Sequence, residues 1–108
     1  MKTRLLTKAE TLELVAELRT AALLPAGPAP DRLRRAKEIR FLLESQPAAT
    51  PSIHEKADEA YRLLEILLSH RRWRDYPVDL DHLRKSIKSA CDRLRVAVGG
   101  RRDRKGAA

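Results

Sequence analysis

The sequence predicts an all-α protein: a compact four-helix bundle followed by a basic C-terminal tail. Three observations lead there. Apolar residues recur in four stretches at steps of three and four, the period of a helix with one buried face. The six prolines and four glycines lie almost entirely between those stretches, where helix breakers belong. Finally, no stretch alternates apolar and polar residues in the manner of a half-buried strand. At 108 residues the chain suits one domain, with a modest core that needs no metal or disulfide support. That domain is expected over residues 1–100, with helices at about 8–23, 32–44, 53–69 and 80–98 and a flexible tail at 101–108.

The first helix opens on Thr7, with Glu10 three residues on to complete a capping box. Leu12, Val15, Leu18 and Ala22 form one apolar ridge, and Leu5, Ala9, Ala16 and Leu23 widen it. A helix apolar over so much of its circumference predicts a central place in the bundle. Pro25-Ala26-Gly27-Pro28-Ala29-Pro30 ends it as a stiff loop. Asp31 is the expected cap of a second helix, whose inner arc holds Leu33, Ala36, Ile39, Leu42 and Leu43. Arg32, Arg34, Arg35 and Lys37 crowd its first turns, where the helix dipole disfavours positive charge. That placement points either to a partner or to an arginine-rich solvated face.

A second linker, 45–51, leads to a third helix for which Ser52 and Glu55 offer a capping box. Ile53, Ala57, Ala60, Leu64 and Leu67 alternate steps of four and three, the spacing of a packing seam. Tyr61, Leu63, Ile66 and Leu68 broaden that seam. Asp79 or Asp81 caps the fourth helix, whose seam is Leu80, Leu83, Ile87, Ala90, Leu94 and Val98. Gly99-Gly100 is its expected stop. The residues beyond are too polar to pack.

Charge divides the chain unevenly. Residues 1–68 carry eleven Lys/Arg and ten Asp/Glu, whereas residues 69–108 carry twelve and five. The formal +8 is therefore nearly all in the last forty residues, and a basic cluster of this kind points to a polyanionic partner. At the junction stands His70-Arg71-Arg72-Trp73-Arg74-Asp75-Tyr76-Pro77, with the only tryptophan. Trp73 and Tyr76 suit two roles: stacking on unpaired bases while Arg71, Arg72 and Arg74 hold phosphates, or folding back over the ends of the third and fourth helices. On the fourth helix Arg84, Lys88 and Arg95 project within about 40° of one another, with Lys85 a little further round. That strip is roughly 16 Å long at the helical rise, enough to address two or three phosphates. Arg101 and Arg102 add charge in the tail. The candidate nucleic-acid-binding set is thus Arg71, Arg72, Trp73, Arg74, Arg84, Lys85, Lys88, Arg95, Arg101 and Arg102. The linkers are longer than the tight turn of a helix-turn-helix, so contacts to backbone and single strands are expected in preference to major-groove reading.

Other chemistries find no matching residues. His54, His70, His82 and Cys91 have no zinc-ligand spacing, and no phosphate-binding glycine loop or Glu-x-x-His pair occurs. Small helical nucleases of the HEPN superfamily need a shorter Arg-to-His spacing than the seven residues between Arg62 and His70 or between Arg74 and His82. Cys91 lies beside the fourth seam as a small core residue and cannot form an internal disulfide, which suits a reducing compartment. No enzymatic activity, cofactor or metal is expected. The N-terminus lacks the apolar core of a signal peptide and no apolar run approaches a bilayer span, so a cytoplasmic protein without membrane contact is expected.

The packed seams of helices one, three and four, taken with Arg84, Lys88, Arg95 and Arg71-Arg72-Trp73-Arg74, resemble the small subunit of multisubunit CRISPR effector complexes. The likeness is architectural and covers most of the chain. It implies a non-catalytic subunit of an antiviral ribonucleoprotein, beside larger subunits and neighbouring copies of itself, offering basic side chains to a guide–target duplex or a displaced strand. The basic bundle and the Arg104-Lys105-Gly106 tail are also similar to the accessory proteins that partner the reverse transcriptase of diversity-generating retroelements. A third class needs no nucleic acid: a protein-interaction bundle such as an anti-CRISPR, antitoxin or phage assembly factor, using helix two or the proline-rich loops.

Overall fold

The computed structural model describes residues 5–69 and 79–99. It is all-α, with helices α1 (Lys8–Thr20), α2 (Pro30–Glu44), α3 (Pro51–Ser69) and α4 (Leu80–Gly99), and a 3₁₀ turn at Ala21–Leu23 that prolongs α1. No strand occurs among the described residues. One continuous core joins all four helices.

Local chemistry sets each start. At α1 the capping box forms: the Glu10 N–H donates to Thr7 Oγ1 at 3.0 Å, and the Thr7 N–H donates to Glu10 Oε1 at 2.9 Å. The next two starts lie earlier than the capping residues suggest. Helix α2 begins at Pro30 after Ala29, so Asp31 is not its cap; it sits in the first turn, where it favours the dipole. Helix α3 begins at Pro51, and Thr50 Oγ1 accepts the Ile53 N–H at 3.2 Å; Ser52 and Glu55 therefore fall inside the helix. The reason is common to both. Proline at the first helical position has φ already set and lacks an N–H that would go unpaired. At α4, Asp79 Oδ1 accepts the N–H groups of Asp81 at 3.0 Å and His82 at 3.3 Å, so Asp79 is the cap and Asp81 is not.

Helices α3 and α4 pack on each other, with α2 also packed on α3 and α1 also packed on α4. Helix α1 lies antiparallel against α4 and closes on α2 through a slimmer contact. This corrects the central place expected for α1. Leu14, Val15, Leu18 and Ala22 are buried, but Leu5, Ala9, Ala16 and Leu23 face outward and Leu12 is half-buried. A helix with one substantial neighbour fills a narrow arc, and its outer alanines lose little by exposure while favouring the helix. The α3 seam is buried as its spacing predicts, from Ile53 through Leu67, with Tyr61 and Leu68 beside it. In α4, Leu83, Ile87, Ala90, Cys91 and Leu94 are buried and the seam frays at Leu80 and Val98.

The α1–α2 loop ties three helices together. The Gly27 and Ala29 N–H groups donate to the carbonyls of Leu67 and Leu68 at 2.9 and 2.8 Å, satisfying acceptors that the end of α3 leaves without intrahelical partners. Gly27 has φ of +125°, a conformation side-chain-bearing residues rarely adopt. Polar clasps bind the outside of the bundle: Arg35 to Glu17 between α2 and α1, Arg19 to Asp92 between α1 and α4, and Arg93 to Glu59 between α4 and α3. No helix among the described residues is long and apolar enough to cross a membrane.

Candidate nucleic-acid interface

The basic residues of α4 divide into two groups. Arg84 turns into the fold: its Nε donates to the Ala22 carbonyl at 3.0 Å and its Nη2 to the Leu24 carbonyl at 2.9 Å. Those carbonyls end α1 and its 3₁₀ turn, and the planar guanidinium fork suits two acceptors set side by side. Arg84 is thus a structural clamp and does not belong to the exposed strip expected from spacing. The helical period places it beside Lys88 and Arg95, but that flank of α4 faces α1 at this level of the bundle.

Lys85 and Arg95 are exposed and Lys88 is half-buried; none has a carboxylate partner among the described residues. They stretch over about 15 Å of helix at the α-helical rise. Asp81 and Asp92 lie on the same side; the Asp92 carboxylate is held by Arg19 Nε at 2.8 Å, and Asp81 is exposed. A shallow depression of about 380 Å³ lies between α1 and α4 beside Arg95, lined also by Val15, Ala16, Arg19 and Asp92. The structure thus brings three unpaired cations together along one side of α4. Arg71, Arg72, Trp73, Arg74, Arg101 and Arg102, and with them the role of Tyr76, lie outside the described residues.

The arginine cluster of α2 resolves differently. Arg35 is engaged on both sides, with Glu17 at 2.7 Å and Glu38 at 2.8 Å. The Glu17 carboxyl is held below its ordinary range chiefly by that hydrogen bond, which burial opposes and the nearby positive charge of Arg35 reinforces to a lesser degree. Arg34 meets Asp31 at 3.2 Å, both so exposed that the pair contributes little. Arg32 and Lys37 are exposed and without ion partners among the described residues. The sole phenylalanine, Phe41, shares the outer side of α2 with Arg34 and Lys37 and is 62% exposed. Sequence reading passed over it, although its offset from Ala36, Ile39 and Leu43 already puts it opposite the core.

Cys91 is fully buried, and desolvation, reinforced by Asp92 and opposed by Arg19, pushes its thiol up to about 12. It stays protonated and packs as a small apolar residue. His54 and His82 are exposed on separate helices, and no three His, Cys, Asp or Glu residues cluster as a metal site among the described residues. No family model matches the chain, and no curated protein or solved structure is similar to it.

Proposed function

We propose that this chain is a non-catalytic nucleic-acid-binding accessory protein that contacts phosphate backbone or single strands. One observation carries the reading: Lys85, Lys88 and Arg95 lie together on α4 without carboxylate partners, within the forty residues that hold most of the net charge. Three cations without carboxylate partners at that spacing suit a polyanion, whereas Arg19, Arg35 and Arg93 are engaged by carboxylates of neighbouring helices. The resemblance to small subunits of CRISPR effector complexes extends the reading to a ribonucleoprotein with larger subunits. An accessory partner of a reverse transcriptase would use the same surface.

Substituting Lys85, Lys88 and Arg95 by Gln tests it. For a single-stranded oligonucleotide, the slope of log affinity against log salt should fall by about two, at roughly 0.7 per lost phosphate contact. Stability should move by less than about 0.5 kcal/mol, as for surface substitutions generally. Truncation after Gly100 is the comparison that separates helix from tail. If the truncation abolishes binding and the triple variant leaves slope and affinity intact, α4 is not the site. If the intact protein binds no nucleic acid, the reading fails and a protein-interaction bundle takes its place. The exposed Phe41 on α2 favours that second reading, since a solvent-facing aromatic amid cations is an anchor for a protein partner.

A further inference from the structure

The depression of about 380 Å³ between α1 and α4 is lined by two guanidinium groups, one from each helix. The buried residues of its lining, Val15 and Cys91, carry no charge. Ala16 is exposed at its edge and contributes only a methyl group, so a longer side chain there would occupy part of the space. Arg95 of α4 is exposed and makes no hydrogen bond or ion pair among the described residues. Arg19 of α1 is held through one atom: its Nε donates to Asp92 Oδ1 at 2.8 Å, and neither Nη group has a partner among those residues. Asp92 thus fixes the Arg19 head at the depression and leaves the rest of its donor fork without an acceptor.

We propose that this depression seats a backbone phosphate of a single-stranded nucleic acid between Arg19 and Arg95, so that a strand bound by α4 crosses onto α1. The inference rests on the phosphate-contacting role of α4 and adds to it a site shared with a second helix, in which Arg19 is a binding residue despite its ion pair. An arginine fork matches phosphate oxygens, and a second guanidinium shares the charge. Asp92 acts in two senses: it orients Arg19, and its own charge opposes the phosphate. Lys88 and Lys85 continue the row at about 10 and 15 Å from Arg95 along α4. That reach covers about three to four nucleotides of a stacked strand at roughly 3.4 Å each. Such a row suits a chain of evenly spaced phosphates better than a single carboxylate or a free anion. No aromatic ring lines the depression, so the contact is to sugar and phosphate and not to a base.

The test uses the full chain, ¹⁵N-labelled, and a short single-stranded oligonucleotide of mixed sequence. Binding should shift the amides of Ala16, Arg19, Asp92 and Arg95. Ala16→Leu fills the depression without changing charge, at an exposed helical position that tolerates leucine, and should weaken binding about fivefold or more. Arg19 is tested free of its carboxylate. Adding Arg19→Gln to Asp92→Asn should lower the log–log salt slope by about 0.7 relative to Asp92→Asn alone. That comparison keeps the test independent of how leucine is accommodated at position 16. The proposal is overturned if Ala16→Leu binds within about twofold of the parent, or if the slope ignores Arg19. The α4 reading can survive that result, because substitution of Lys85, Lys88 and Arg95 would still lower the slope. An intact chain that binds no single strand overturns both. Inorganic phosphate and a polyglutamate peptide are the competing probes. Either one shifting the same amides at equal or lower concentration than the strand overturns the choice of ligand.

Discussion

Arg84 shows how one side chain can change what a charge pattern means. By spacing alone it belongs with Lys88 and Arg95; in the fold its guanidinium closes the end of α1 through two carbonyls. Charge-assisted hydrogen bonds to part-buried acceptors are worth more than exposed ion pairs, and losing the donor leaves both carbonyls without it. Arg84→Gln should therefore lower stability by about 1–3 kcal/mol, read as a shift in urea midpoint at constant m-value. Arg84→Lys should recover little of it, because an ammonium lacks the fork that spans two acceptors. Lys88→Gln should stay within about 0.5 kcal/mol. Equal, small effects at both positions would return Arg84 to the exposed strip.

Helix α1 meets α2 through a slim contact, and its clasp to α2 is polar. Arg35 reaches Glu17 through two hydrogen bonds, at 2.7 and 3.0 Å. Because the Glu17 carboxyl is held below its ordinary 4.5, its contribution is full above that value and is lost as pH falls through the lowered folded-state value. The arginine stays charged throughout. Both side chains are nearly half exposed, so solvent screening limits the effect to about 0.5–1 kcal/mol at neutral pH. Glu17→Gln should show that deficit by thermal melting at pH 7, and the gap from the parent should close below about pH 4. A gap independent of pH would mean that the clasp acts by packing alone. The starts of α1 and α4 were legible because Thr7 with Glu10 and Asp79 are local signals. Those of α2 and α3 were each read two residues late, since proline at the first helical position outweighs a capping residue just after it.

At the scale of the whole molecule, the core is one mainly aliphatic cluster to which every helix contributes, and no charged side chain among the described residues is buried. Leu64 of α3 and Leu94 of α4 are fully buried in it. Replacing either by alanine should cost about 2–5 kcal/mol, as lost transfer energy plus the cavity left behind. Costs below about 0.5 kcal/mol at both would contradict the packing of α3 against α4. The unpaired cations run along the side of α4, whereas a cleft lined by Leu5, Leu43, Ile53 and Val98 opens at the end where α4 stops.

The sequence by itself determined the number of helices, their order, the buried faces of α2, α3 and α4, and the concentration of positive charge after residue 68. Each follows from spacing and caps within a few residues. Tertiary structure decided that α3 and α4 pair in the middle of the bundle while α1 flanks α4, that Arg84 is structural, and that an apolar groove lies beside Lys8. These depend on which distant segments meet. The carbonyls that claim Arg84 lie 62 and 60 residues away along the chain, and the groove walls come from both termini of the bundle and the linker between α2 and α3. Helical period tells which way a side chain points from its own axis; the neighbouring helix decides what it meets there.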